Sequence, residues 1–166
     1  MTTEEEIKDL ATKLNLTVAI TEATTGGLIC SRLVRVPGSS AYFERGIIAY
    51  SKQSKIELLG ITEEYLSEHG AVSAKSAEAM AEGIRINAGT ALGLAETGIA
   101  GPIRGRSPKP IGTAFIAISS EDGFETSSFE FSGDRTEIQN SIAEAALEAL
   151  LQYLTKRMQN LKSPPA

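Results

Sequence analysis

Polar and glycine residues that could do chemistry gather in four short stretches: Thr24, Thr25, Gly26 and Gly27; Ser39 and Ser40; Tyr50 with Lys55; and Thr97 and Gly98 running on to Pro102. Each stretch falls at the end of an apolar run, so one pocket could collect them all. The Thr-Thr-Gly-Gly turn opens a helical pattern, and its hydroxyls and unpaired N–H groups suit a phosphate. It matches neither the P-loop nor the dinucleotide fingerprint, and an ordinary tight turn is the alternative. Thr97, Gly98 and Ala100 offer a hydroxyl and closely approachable backbone donors for an amide oxyanion or a phosphate. His69 follows an acidic helical segment in a turn, where a lone histidine more often bonds backbone than acts as a base. Cys30 lies one turn into the helix after Gly27 and reads as core.

The elements that must position these residues follow from periodicity. Thr3 and the acidic run Glu4, Glu5, Glu6 begin an amphipathic helix carried by Ile7, Leu10, Ala11 and Leu14. Residues 16–20 form a strand, 28–34 a helix, 46–50 a second strand and 52–59 a short helix. Thr62 opens a short acidic helix, and Ser73 caps a longer one through Ile84 or beyond. Residues 91–95 form a small-residue strand, and 98–110 hold too many glycines and prolines for regular structure. Residues 111–119 and 124–131 flank an Asp122-Gly123 hairpin turn. A helix over 136–158 closes the fold. The expected class is α/β, a single-domain three-layer α/β/α sandwich with a mixed sheet of about five strands. The domain is expected over residues 1–160, with a flexible tail over 161–166. Ligands in such sheets collect beyond the carboxyl ends of the strands.

Composition narrows the function classes. The 166 residues suffice for one packed domain and not two. A net charge of −5 leaves no basic excess to draw nucleic acid onto a broad surface, so an anionic ligand needs a local site. No apolar run approaches the roughly 20 residues of a membrane span, and the acidic start is unlike a signal peptide. The expected location is cytoplasmic, with no membrane partner. One Cys and one His exclude a zinc site of the usual ligand set. The sequence is compatible with a homo-oligomer.

Several separated segments then point one way: T-E-A-T-T-G-G at 21–27, P-G-S-S-A-Y-F-E-R-G at 37–46, A-Y-S-K-Q-S-K at 49–55 and H-G-A-V-S at 69–73. T-G-I-A-G-P at 97–102, K-P-I-G-T at 109–113 and F-S-G-D-R at 131–135 continue the series. In this order and spacing the chain resembles the CinA carboxy-terminal domain family, also called the nicotinamide mononucleotide deamidases, over nearly its whole length. The resemblance implies an amidohydrolase of pyridine nucleotide salvage. It would convert nicotinamide mononucleotide to nicotinic acid mononucleotide and ammonia without metal or cofactor. It places a serine nucleophile on Ser40 and its lysine base on Lys55, with Tyr50 to relay a proton or hold the ring. It leaves Thr24, Thr25, Gly26, Gly27, Ser39, Thr97, Gly98 and Arg135 to bind the substrate, Arg135 through its phosphate. A lysine serves as base only where burial or nearby positive charge lowers its pKa. In two-domain relatives a pyrophosphatase domain precedes this one; none of these residues could form it, so a stand-alone version is expected.

Departures from the family pattern fall beside the expected site. Ala23 stands where the family's A-E-S-x-T-G-G turn has its serine, Glu96 where a small apolar residue is usual, and Ile103 and Arg104 where glycines follow G-P. These departures motivate a rival expectation, a catalytically silent nucleotide-binding or interaction module.

Overall fold

The computed structural model describes every residue except 164 and 166. Five strands form one mixed sheet in the order β2-β1-β3-β4-β5. These are β1 (Val18–Glu22), β2 (Phe43–Ile48), β3 (Leu92–Gly98), β4 (Thr113–Ser120) and β5 (Gly123–Glu130). β1 pairs in parallel with both β2 and β3, and the β4–β5 hairpin adds antiparallel to β3.

Helices cover both faces, as the apolar patterning expects. On one side α1 (Thr3–Leu14), α2 (Leu28–Val34) and α6 (Arg135–Lys162) bury Ile7, Ile29, Leu33 and Leu150 against Ile20, Leu94 and Ile116. On the other, α3 (Lys52–Leu59), α4 (Glu63–His69) and α5 (Ala74–Ala88) pack Leu59, Leu66, Met80 and Ile84 against Ala19, Ala95 and Ala117. Small strand residues bring α5 in close: a Cβ on Gly93 would meet the Ala81 carbonyl of that helix. Side-chain caps set the helix starts: Thr2 with Glu5 begins α1, and Asp134 with Glu137 begins α6.

The differences from the sequence reading lie at the ends of elements. The cap of the first helix is Thr2 rather than Thr3. β2 begins at Phe43, ahead of the expected residue 46, because the exposed Glu44 and Arg45 of this edge strand mask its apolar pattern. β3 continues through Glu96 and Thr97 to Gly98. Helix α6 continues through Lys162, so it takes up the start of the tail expected at 161–166; residues 164 and 166 of that tail lie outside the described residues.

Candidate ligand pocket at the strand carboxyl ends

The carboxyl ends of the three parallel strands lead to residues Ala23, Tyr50 and Gly98, and the chain returns to the same end at Arg135, the first residue of α6. A cavity of about 340 Å³ opens there. Of the residues expected to form a site, Thr24, Tyr50, Lys55, Thr97, Gly98 and Arg135 line it.

Lys55 reaches the cavity from α3, whose first turn is capped by Ser51. Its side chain is only 4% exposed, and Nζ donates to the Tyr50 carbonyl at 3.3 Å. Burial pushes its pKa below the ordinary lysine value, and the negative field of Glu96 opposes that shift. Arg135 is held by two bonds: Nη1 donates to the Gly101 carbonyl at 2.8 Å and Nη2 to the Tyr50 hydroxyl at 3.2 Å. Both threonine hydroxyls are engaged with backbone. Thr97 Oγ1 donates to the Ala71 carbonyl at 2.8 Å and Thr24 Oγ1 to the Gly98 carbonyl at 3.0 Å.

The structure does not bring Ser40 to this cavity. Ser40 sits in a short 3₁₀ turn before β2, whereas Lys55 follows that strand. The six residues of β2, five steps of about 3.3 Å, hold the two ends of the strand about 17 Å apart, too far for proton transfer. Ser39, in the same turn, is buried, and its hydroxyl lies 2.7 Å from both the Leu33 and the Val36 carbonyl, which share its single proton. It closes the turn.

The glycine turn is also not an open phosphate site. Gly27, with φ +105°, leads into α2, but the first free amides of that helix already have an acid partner. Glu22 accepts from the N–H of Ile29 at 2.9 Å and of Cys30 at 3.1 Å. Glu96 accepts from the N–H of Ala23 at 2.6 Å and of Thr25 at 3.0 Å. Burial pushes the Glu96 carboxyl above its ordinary value, against the lowering effect of those hydrogen bonds. Thr25, Gly26 and Gly27 therefore shape the turn from beneath the cavity rather than line it.

Residues that the sequence reading did not single out complete the surroundings. Ala71 and Val72, from the H-G-A-V-S segment, form part of the wall. Gln139 Nε2 of α6 donates to the Thr24 carbonyl at 3.0 Å, a contact that no local sequence signal marks. His69 stacks on Tyr65, with ring centroids 4.4 Å apart, and does not line the cavity. Burial and neighbouring Glu22 push the Cys30 thiol up, the wrong direction for a nucleophile. Among the described residues no group of three or more His, Cys, Asp or Glu could hold a metal ion, and no helix is long and apolar enough to cross a membrane.

Fold and cavity together define an α/β domain with a pocket lined by Lys55, Arg104 and Arg135 beyond the parallel strands. The family profile described as the CinA C-terminal domain matches residues 1–154, and the chain belongs to that family. It is 46% identical over 147 residues to a putative competence-damage inducible protein of Caldicellulosiruptor bescii, covering 89% of this chain and 36% of that protein. It is 47% identical over 156 residues to a CinA-like protein of Syntrophus aciditrophicus, covering 92% of this chain and 37% of that one. The chain thus spans little more than a third of these relatives. Among solved structures, the competence/damage inducible protein CihA of Agrobacterium tumefaciens superposes with a TM-score of 0.84 at 35% identity, covering 92% of this chain and 95% of that one. The competence or damage-inducible protein of Enterobacter asburiae gives 0.88 at 28% identity, covering 92% and 96%.

Proposed function

We propose that this chain binds a pyridine mononucleotide in the Lys55–Arg135 pocket, built on the family's amidohydrolase plan, and holds it without hydrolysis by a serine. The observation that carries this reading is the pairing of Ala23 with Lys55. Ala23 lines the same cavity as the buried lysine, at the position where the family pattern has a serine, and Ser40 lies at the opposite end of β2. A methyl group has no proton to give, so the amine has no serine hydroxyl to activate.

Binding has clear candidates. Arg135, oriented by Gly101 and Tyr50, presents the rest of its guanidinium to a phosphate. Tyr50 is 62% exposed and lines the cavity, which leaves its ring accessible to a stacked base. The test is calorimetric titration of the protein with nicotinamide mononucleotide, followed by an ammonia assay on the same mixture. Saturable binding without ammonia is the expected result; absence of binding overturns the reading.

One observation favours a second reading, deamidation of the same nucleotide without the serine. Lys55 is buried with a lowered pKa, the property a general base needs. In that reading Lys55 takes a proton from a water molecule as the water oxygen bonds to the amide carbon, then passes that proton to the amide nitrogen, so that the C–N bond breaks to release ammonia and leave the carboxylic acid. Ammonia release that disappears in Lys55→Ala would select this second reading.

A further inference from the structure

Lys55 is a basic side chain withdrawn from water, and the one acid whose field reaches it, Glu96, makes no ion pair with it. Its one hydrogen-bond partner is the Tyr50 carbonyl, and it makes no ion pair with a described residue. An ammonium carries three N–H donors, so two remain for a ligand. Arg104, on the loop between β3 and β4, also lines the cavity and has no ion pair among the described residues. With Arg135, three cationic side chains and no carboxylate line one cavity, in a chain whose net charge is −5. Glu96 lies behind the wall, held by the Ala23–Thr25 turn, and its burial favours the uncharged form.

A phosphate on Arg135 answers only part of this charge. The amide nucleotide brings a pyridinium cation and a neutral carboxamide, which can turn its carbonyl oxygen toward Lys55 as an acceptor but brings no charge to pair with it. The carboxylate form has nearly the same shape and places an acceptor anion there instead, in a site where low exposure strengthens the attraction.

We infer that the pocket selects the carboxylate form of a pyridine mononucleotide over its amide form, with phosphate on Arg135 and Arg104 and carboxylate on Lys55. The inference rests on the pyridine-nucleotide reading of the pocket and names the ligand that this site prefers. The chain is then a binder of the doubly anionic acid, the product side of the family reaction.

Calorimetric titration of the full chain with nicotinic acid mononucleotide and with nicotinamide mononucleotide at neutral pH tests it. The acid is expected to bind at least about tenfold more tightly. Lys55→Met, which keeps the bulk and loses the charge, is expected to bring the ratio to about one, and Lys55→Arg to retain a preference for the acid. An amide that binds as tightly as the acid, or more tightly, overturns the inference and leaves the site reading standing; binding of neither overturns both. If Lys55→Met does not fold, a pH series on the parent protein decides the matter. The acid-to-amide preference must fall as pH rises from about 7 to about 10 and Lys55 loses its proton, and a constant ratio contradicts the role of Lys55.

Discussion

Glu22 and Glu96 face each other across the parallel β1–β3 pair, and the Thr25 hydroxyl bridges them, 2.5 Å from Oε1 of Glu22 and 2.9 Å from Oε1 of Glu96. Burial favours the protonated form of Glu96, which lets its carboxyl share this contact. Glu96 Oε2 is buried with no partner. The pair fixes the turn that carries Ala23 and Thr24 to the pocket, which gives the family departure at Glu96 a structural role.

A pH dependence of stability follows. Burial raises the Glu96 pKa above its ordinary 4.5, so the folded state keeps a proton that the unfolded chain releases. That stabilisation is complete below the unfolded carboxylate value and is lost as pH rises through the folded one. Glu96→Gln does not titrate. Its stability relative to the parent, measured by urea unfolding, is expected to increase as pH is raised from about 4.5 toward neutrality. A difference independent of pH contradicts the raised carboxyl.

Arg135 and Ser40 should separate cleanly in a binding assay. Arg135→Ala removes the guanidinium that Gly101 and Tyr50 orient, and a loss of mononucleotide affinity of about 10- to 100-fold is expected by calorimetry. Ser40→Ala alters an exposed side chain at the far end of β2 and should change affinity less than about twofold. A large effect at Ser40 would mean that the ligand sits elsewhere.

The close approach of α5 to the sheet depends on Gly93. A methyl group there would run into the Ala81 carbonyl, which is backbone and cannot swing aside, and would crowd Arg85 Cβ at 2.8 Å. Gly93→Ala is expected to cost about 1–3 kcal/mol in denaturant unfolding. A stability within about 0.5 kcal/mol of the parent would contradict tight packing at this position.

The layered architecture was legible in the sequence because periodicity reports burial directly. Residues 28–34 and 52–59 form helices over the expected spans, and the Asp122–Gly123 turn joins the expected hairpin. Much of the pocket was legible too, since Thr24, Tyr50, Lys55, Thr97, Gly98 and Arg135 all lie at strand ends or in the turns and first helical turns beyond them, at one end of the sheet. Ser40 was misplaced for a directional reason: its turn precedes a strand whereas the others follow one, and the late start read for β2 concealed that difference. Glu22 escaped notice because a carboxylate at a strand end looks like the beginning of a loop. Only the folded chain brings the Ile29 and Cys30 amides to it.

By the reading proposed above, the pocket is silent because position 23 lacks a hydroxyl. The direct measurement is ammonia release from nicotinamide mononucleotide by the parent protein, Ala23→Ser and Ala23→Ser/Lys55→Ala side by side. The expected result is a parent rate at the level of the blank, turnover in Ala23→Ser that rises with pH as Lys55 becomes a free amine, and loss of that turnover in the double variant. Steady turnover by the parent protein, unchanged by the serine, would contradict the claim.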